Sequence, residues 1–521
     1  MKKSIHYLSV LSILAWFLLV LTACNHRPSN VTKLDKLPKI YPDYIGVTIP
    51  AGIAPLNFNL MAETELLQEA DCQQVYVLVK GSKGGEIEAN GSYADFDQDD
   101  WDEITRQNAG GTLTISVFAQ KDGNWIQYRD FSIDVSEFPL EDYGLTYRKI
   151  APGYETYSQI GNYQRNIHTF DEEAIIESQS VPGQCMCCHT ANRTNPAQFT
   201  FQLRGKHGAT LVQREVADDD PAANGRANGH AIAREWLKSS HDSTISKCVY
   251  PYWHPSGNYC AYSLNWIHQL FWTGKDRLIE VYDDASDVIV LDVRTHQLLR
   301  CPLIEGTKNS YETYPAFSND GKTLYFCTSH AYEVPQYADS VKYNLCAIGF
   351  DAETGTFGNK IDTIINAATE GHCVTLPRPS YDGRWLMYTQ SDFGNFPINH
   401  KEADLWMLNL QTGDRFSLEA ANSELSESYH NWSSNSRWVV FASRREDGRY
   451  GRLFITSIDD EGRATKPFLL PQRDPWTFYH SSTHSYNVPD FTCTKVDFDV
   501  HGAYEEVFGD ELIPVKLKGE Q

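Results

Sequence analysis

Three cysteines and a histidine lie together in one short stretch, "PGQCMCCHTANRTNPAQF", which covers residues 182–199. Within it, Cys185, Cys188 and His189 have the spacing C-x-x-C-H, and Cys187 lies between the two outer cysteines. Two thiols at this spacing can each form a thioether with a vinyl group of haem, and the adjacent histidine then lies beneath the iron. The motif therefore predicts a covalent c-type haem, with Cys185 and Cys188 bonded to the ring and His189 as axial ligand.

Two other interpretations of this motif remain open. The thiols and the imidazole could hold another metal ion, or the cysteines could belong to a structural loop or a disulfide. A haem iron would also need a sixth ligand or an open coordination position. Four further histidines are candidates for that position, or for a divalent metal bound without haem: His207, His254, His372 and His430.

The beginning of the chain has the features of an export signal. Lys2 and Lys3 precede a mainly apolar run over residues 5–21, which is followed by "LTAC" ending at Cys24. This ending resembles the lipobox of bacterial lipoproteins, which implies cleavage before Cys24 and attachment of a lipid to it. We expect residues 1–24 to be a signal peptide. The rest of the chain would then lie in the bacterial cell envelope, anchored to the membrane by the lipid and facing the periplasm.

The composition excludes one class of partner. The chain has 521 residues, with 45 lysines and arginines against 68 aspartates and glutamates, and a net charge of −23. A surface this acidic repels nucleic acid. The 29 tyrosines and 12 tryptophans favour a β-rich fold with binding surfaces, and the length suggests more than one domain.

One phrase recurs along the chain and predicts its architecture. Each copy has an aromatic or proline start, a polar turn and an alternating strand that ends near a serine. The copies are "YPYWHPSGNYCAYS" from Tyr250, "YPAFSNDGKTLYFCTS" from Tyr314, "LPRPSYDGRWLMYTQS" from Leu376 and "YHNWSSNSRWVVFASR" from Tyr429. A second pair of strands follows each copy. Four-stranded units of this kind cannot bury both faces alone, so they pack radially as propeller blades.

The phrase resembles the repeat of TolB-like six-bladed β-propellers, and the likeness covers about residues 145–470. It implies two further, less regular blades, for which "GNYQRNIHTFDEEAIIESQS" and "NPAQFTFQLRGKHGATLVQREV" each offer a pair of strands. In this alignment "CCHT" matches "YWHP". The C-x-x-C-H is therefore expected in the loop that leads into a blade's innermost strand, near the rim of the central channel. The likeness also implies a face that binds partner proteins.

We therefore predict an all-β chain. An immunoglobulin-like β-sandwich is expected at residues 25–144, because that region lacks the phrase and contains five alternating strand-like runs. The six-bladed propeller follows at 145–470, and a loop-rich tail at 471–521, whose last runs are expected to close the ring or cover one face. Within the tail, "SSTHSYNVPDF", with His484 and Tyr486, is polar and aromatic enough to line a binding surface, but a plain surface loop is the favoured interpretation.

The sequence does not favour an enzyme, because it has no G-x-S-x-G, H-E-x-x-H or P-loop motif. A hydrolase or lyase would need histidines and carboxylates that converge in the channel. The motif favours a haem-carrying propeller that acts in electron transfer or redox sensing with a redox partner. The alternative is a cofactor-free propeller that recognises a protein, peptide or glycan in the envelope. Contact with the membrane is expected only through the N-terminal lipid.

Overall fold

The computed structural model describes residues 27–61, 74–151, 160–238, 241, 244–245, 248–271, 279–304, 309–509 and 512–520. The predicted signal peptide and Cys24 lie outside these residues. Within them, no helix is both long enough and apolar enough to cross a membrane.

The region before residue 144 forms a β domain around one apolar core. Its elements are β1 (Thr32–Lys33), β2 (Ile40–Tyr41), β3 (Thr48–Ile49), β4 (Asn59–Leu60), β5 (Gln74–Gly81), β6 (Glu86–Gly91), α1 (Gln98–Gln107), β7 (Gly111–Lys121), β8 (Asn124–Gln127) and β9 (Phe131–Val135). Strands β2 and β4 pair with each other, and the rest form a seven-stranded sheet. Because β7 alternates buried and more exposed residues, one face of this sheet is apolar. That face shares its core with β4 and with Trp101 and Ile104 of α1.

Six further sheets in the described part of the chain are the blades of a propeller. Blade 1 contains β10 (Gly144–Ile150), β11 (Ile160–Asn166) and β12 (Glu172–Glu177). Blade 2 contains β13 (Gln184–Asn192), β14 (Asn195–Gly205), β15 (Ala209–Glu215), β16 (Gly225–Ala227) and β17 (His230–Lys238). Blade 3 contains β18 (Cys248–Trp253), β19 (Tyr259–Phe271), β20 (Ile279–Asp292) and β21 (Gln297–Leu299). Blade 4 contains β22 (Ser310–Phe317), β23 (Thr323–His330), β24 (Asn344–Asp351) and β25 (Thr356–Ile365). Blade 5 contains β26 (Cys373–Pro379), β27 (Trp385–Ser391), β28 (Asp404–Asn409) and β29 (Arg415–Ser417). Blade 6 contains β30 (Glu427–Trp432), β31 (Trp438–Ser443), β32 (Arg452–Ser457) and β33 (Phe468–Leu469).

The end of the chain closes the ring. Strand β34 (Ser485–Thr492) pairs antiparallel with β10 and is the innermost strand of blade 1. Two short strands, β35 (Ile513–Pro514) and β36 (Lys516–Leu517), pair with β17 and β21. Short helices lie between strands: α2 (Ala367–Glu370), α3 (Pro475–Ser481) and α4 (Val500–Phe508), with 3-10 turns at Ala338–Ser340 and Pro397–Asn399.

The predicted fold class, all-β with a β domain before a six-bladed propeller, is confirmed. In place of the immunoglobulin-like sandwich predicted at residues 25–144, the described strands form a seven-stranded sheet and a two-stranded sheet around one core. The predicted boundary at residue 470 needs a correction, because β34 makes the following segment part of blade 1. Tyr486 is accordingly buried and its ring packs on that of Tyr147, with centroids 5.3 Å apart, so it does not lie in a surface loop.

Besides a second irregularity of β13 at Ala191 and Asn192, each innermost strand is interrupted at an equivalent place. There the register with the neighbouring strand shifts, and one residue has a positive φ between 22° and 53°. A left-handed backbone at a residue other than glycine costs on the order of 1–3 kcal/mol, so its recurrence in every blade indicates a shared structural role. We call these residues the bulge ring: Val488, Cys188, Tyr250, Tyr314, Leu376 and Tyr429.

Candidate functional site: the central channel

The bulge ring plugs the channel part of the way along its length. The rings of Tyr250 and Tyr314 lie 4.7 Å apart, and Tyr314, Leu376 and Tyr429 are buried in one apolar core. Cys188 packs against Tyr250. The plug separates two ends of the channel, which we call the closed end, where the innermost strands begin, and the open end, where they finish.

The C-x-x-C-H motif lies inside β13, and the predicted position in a loop at the rim is wrong. Strand β13 pairs with β14 along the whole motif. Cys188 is the bulge residue of blade 2, so Cys188-His189 corresponds to Tyr250-Pro251 in blade 3. The alignment of "CCHT" with "YWHP" was displaced by three residues, because the bulge, and not the turn, is the position that the blades share.

The motif does not fit a covalently bound haem in this arrangement. The imidazole of His189 faces blade 1, where its Nε2 lies 3.0 Å from Oγ1 of Thr146, and burial lowers its pKa to about 4. Cys187 and Cys188 face blade 3 and pack against Val249. Because imidazole and thiols lie on opposite faces of a buried sheet, one haem cannot bond to both. Covalent haem stays a prediction from the motif alone.

The other histidines predicted as ligands lie in separate places. His254 is in the turn after β18, with Nε2 3.1 Å from the carbonyl oxygen of Gly321. His430 follows the bulge residue of blade 6, and burial lowers its pKa to about 3. His372 precedes β26 at the closed end, and His207 lies in the turn between β14 and β15. Across the described ranges, no group of three or more His, Cys, Asp or Glu side chains has the geometry to hold a metal ion.

The three thiols form a cluster with two arginines on the closed side of the plug. Hydrogen bonds from the thiols of Cys185 and Cys188 lower the pKa of Cys187 well below its ordinary value, although burial opposes them. The positive charges of Arg204 and Arg148 lower that pKa further. Both guanidinium groups are half-buried, and the charges that act on them are the thiols, Tyr250 and each other. The arrangement favours a thiolate at Cys187.

The remainder of the closed end is covered by a hairpin from blade 3. Strands β19 and β20 continue past the start of β18 and bring Asp283 to the neighbouring blades. Asp283 accepts hydrogen bonds from Asn395 Nδ2 at 2.6 Å, Tyr343 Oη at 3.0 Å and Asn265 Nδ2 at 2.9 Å. Burial raises the pKa of Asp283 to about 7. Phe396, next to Asn395, reaches the plug at Tyr250.

An ion-pair triad, in which His400 and Glu280 are buried and Glu402 is exposed, attaches this hairpin to blade 5. His400 Nε2 lies 3.1 Å from Glu280 Oε1 on β20, and its Nδ1 lies 3.1 Å from Glu402 Oε1. Burial alone would lower the pKa of His400, but the two hydrogen bonds to carboxylates raise it to about 9. His400 is therefore an imidazolium at neutral pH, and charge holds the cover in place.

The open end carries a cleft instead of a cover. It encloses about 370 Å³, including open solvent, between the ends of five innermost strands. Amide, hydroxyl and aromatic groups line it, among them Asn192, Tyr252, Trp253, Asn319, Tyr381 and Asn431. Beneath them, Asp490 of β34 accepts hydrogen bonds from Thr190 Oγ1 and Ala191 N, both at 3.0 Å, and from Asn431 Nδ2 at 2.7 Å. Burial raises the pKa of Asp490 to about 6.

Two arginines flank this cleft. The guanidinium of Arg193 donates hydrogen bonds to the backbone and side-chain oxygens of Asn319. The guanidinium of Arg378 lies 5.2 Å from the ring centroid of Tyr252. Arg378 and Asp490 both stand two residues after a bulge residue. Neither was predicted, although the position of Arg378 in the recurrent phrase could have identified it; Asp490 lies in a strand that lacks the phrase.

Comparison with known proteins adds little beyond the fold. No family model matches the chain, and no curated protein matches it. Among solved structures, it is similar to TolB from Acinetobacter baumannii, with 12% identity and a TM-score of 0.42 over 74% of this chain and 80% of that one. It is also similar to prolyl oligopeptidase B from Galerina marginata (12%, TM-score 0.35, 60% and 40%) and to an oligogalacturonate lyase in complex with manganese (12%, TM-score 0.32, 62% and 74%). These values say nothing about what this chain binds.

Proposed function

We propose that this protein is a binding propeller of the bacterial cell envelope and that its ligand site is the cleft at the open end. The observation that supports this function is the convergence of side chains from five blades on one cleft above a plugged channel.

We infer that the ligand is a polypeptide segment of a partner protein. Side-chain amides such as those of Asn319 and Asn431 can donate to and accept from a peptide backbone. The rings of Tyr252 and Tyr381 offer apolar faces to its side chains, and Arg378 can pair with a carboxylate. A glycan is the other class of ligand considered for this cleft, and the experiment below distinguishes the two.

The test is selection of peptides from a displayed library on the purified protein, beside a glycan array. Substitutions Tyr252→Ala and Tyr381→Ala are expected to weaken the selected peptides at least tenfold, because each removes an aromatic face of the cleft. Tyr337→Ala is the matched control, since that ring is 46% exposed on blade 4 away from the cleft, and it should leave binding unchanged. Glycan binding without peptide binding, or peptide binding that survives both cleft substitutions, would contradict the proposal.

The envelope location rests on the N-terminal signal, "LTAC" with Cys24. We propose that lipid on Cys24 anchors the protein to the membrane. Labelling of expressing cells with a radioactive fatty acid should mark the wild-type protein, and Cys24→Ala should remove both the label and the membrane association. Label retained in Cys24→Ala would show that the lipid, if any, lies elsewhere.

A further inference from the structure

We propose that Cys187 and Cys188 are a redox-active pair that forms a disulfide by exchange with a small disulfide. This inference is independent of the cleft, because the pair lies at the plug and on the opposite side of it. It uses no haem and no metal ion.

The bulge is what brings the two thiols together. Side chains of consecutive residues in a regular strand point to opposite faces. Here the backbone of Cys188 has a φ of 22°, and both Cys187 and Cys188 pack against Val249 and Tyr250 of blade 3. The two side chains belong to the same buried cluster, and each affects the pKa of the other. The other bulge residues are tyrosine, leucine or valine, so blade 2 is the one blade of the described ring with sulfur at this position.

The charges around the pair favour a nucleophilic sulfur. The thiolate, and not the thiol, attacks disulfides, and nearby arginines stabilise it. Arg148 lies on β10 and Arg204 on β14, and Nε of Arg148 is buried without a hydrogen-bond partner in the described structure. Each guanidinium therefore faces the sulfur cluster and not a carboxylate. The thiol of Cys185, like that of Cys188, lowers the pKa of Cys187.

A small reagent is the exchange partner that this site admits. Cys185 is 9% exposed and Cys188 is 6% exposed, while both arginines are half-buried. Cys187, which carries the attacking sulfur, is 4% exposed, which is too little for the active site of a folded oxidoreductase to reach it. Glutathione disulfide is a suitable probe.

The exchange balances as follows. The thiolate of Cys187 attacks one sulfur of glutathione disulfide, forming a mixed disulfide and releasing one glutathione thiolate. Cys188 loses its proton to that thiolate or to water and attacks the sulfur of Cys187. A Cys187–Cys188 bond forms and the second glutathione thiolate leaves. Counted from the thiolate of Cys187, the protein loses two electrons and one proton, and glutathione disulfide is reduced to one glutathione thiol and one glutathione thiolate, which takes a proton from water.

The first test needs only the wild-type protein. It is equilibrated in glutathione buffers of increasing oxidising strength, alkylated, digested and analysed by mass spectrometry. We expect a peptide lighter by two hydrogen atoms, with Cys187 and Cys188 blocked and Cys185 alkylated. Free thiols at all three positions across the whole series, or a disulfide that involves Cys185, would overturn the proposal.

Variants separate redox activity from a structural role. Cys188→Ala should stop the reaction at a glutathione adduct on Cys187. The matched control, Cys301→Ala, removes a buried thiol near blade 4 and should react as the wild type does. Arg204→Met should favour the disulfide at least tenfold, which is about 30 mV, because it destabilises the thiolate of the reduced form. If the thiol–disulfide equilibrium is unchanged in Arg204→Met, the guanidinium of Arg204 does not stabilise the thiolate of Cys187.

Discussion

The two ends of the channel are made by the same six innermost strands, yet their chemistry differs. Both ends bury an aspartate among neutral donors, and the closed end adds the buried pair of His400 with Glu280, to which the exposed Glu402 is also bonded. The open end buries Asp490 among neutral donors and leaves amides and aromatic rings facing the cleft. A buried ion pair is strongly weakened when one partner is lost. The comparison indicates that the closed end serves stability and the open end serves recognition.

The largest effect is expected from breaking the triad at the closed end. Substitution His400→Ala leaves the carboxylate of Glu280, whose side chain is 1% exposed, without its imidazolium. We expect a loss of about 3–5 kcal/mol in the free energy of unfolding, measured by chemical denaturation. The control His268→Ala removes an exposed pair with Asp284 on the same hairpin and should change stability by less than about 1 kcal/mol. Equal losses in both variants would refute a special role for the triad.

A second effect should appear in the dependence of stability on pH. The pKa of His400 is raised from 6.5 to about 9, so its contribution is complete below pH 6.5 and disappears as the pH rises through 9. The free energy of unfolding should therefore fall by an amount on the order of 2–3 kcal/mol over that interval. In His400→Ala, denaturation measured at the same pH values should lack this part of the decline. If the free energies of unfolding of the two proteins fall in parallel between pH 6.5 and 9, the titration of His400 does not contribute to the decline.

A smaller loss is expected at the open end. Substitution Asp490→Asn replaces one of the two acceptor oxygens with an NH₂ group. This group then faces another donor, which is either the pair Thr190 Oγ1 and Ala191 N or Asn431 Nδ2. We expect a loss of about 1–2 kcal/mol in the free energy of unfolding. Asp414→Asn, in an exposed turn of blade 5, is the matched control and should stay within about 0.5 kcal/mol of the wild type. If Asp490→Asn destabilises as much as His400→Ala, the two ends do not differ as described.

The smallest expected effect concerns haem. Expression with a c-type maturation system should leave no thioether-bound haem, because His189 and the thiols face different blades. The measurement is the reduced pyridine spectrum after extraction with acidified solvent, beside a known cytochrome and a Cys185→Ala/Cys188→Ala control. An α-band that the wild-type protein retains and the control lacks would show that β13 opens to accept haem.

The regular blades could be predicted from the sequence because their phrase is local. Tyr314 and the turn that follows it lie within one hairpin, so alternation and turn residues are sufficient to recognise the unit. The strand around Val488 carries the same bulge but no hairpin follows it, since its partner β10 lies at the other end of the propeller sequence. A strand of this kind has no local signal and was interpreted as a surface loop.

The candidate site was only partly predictable for a related reason. Spacing alone marked Cys185, Cys188 and His189 as a group. The spacing rule assumes that these side chains share one side of the backbone, and in a paired strand they do not. Arg148 and Arg204, which complete the sulfur cluster, come from two other strands, and nothing in the sequence connects them. The cleft likewise depends on the meeting of five blades.

Closure of the ring by β34 also bears on how the protein is made. A chain that emerges from its amino end presents five blades whose strands are adjacent in sequence, while blade 1 waits for residues 485–492. Until they arrive, β10 has an open edge, and such an edge is a template for pairing with another chain. Contacts this distant in sequence form slowly. Completion of blade 1 is therefore a late step of folding, followed along the chain only by the addition of β35 and β36 to blades 2 and 3, and the interval before it is when the nascent propeller most needs protection from aggregation.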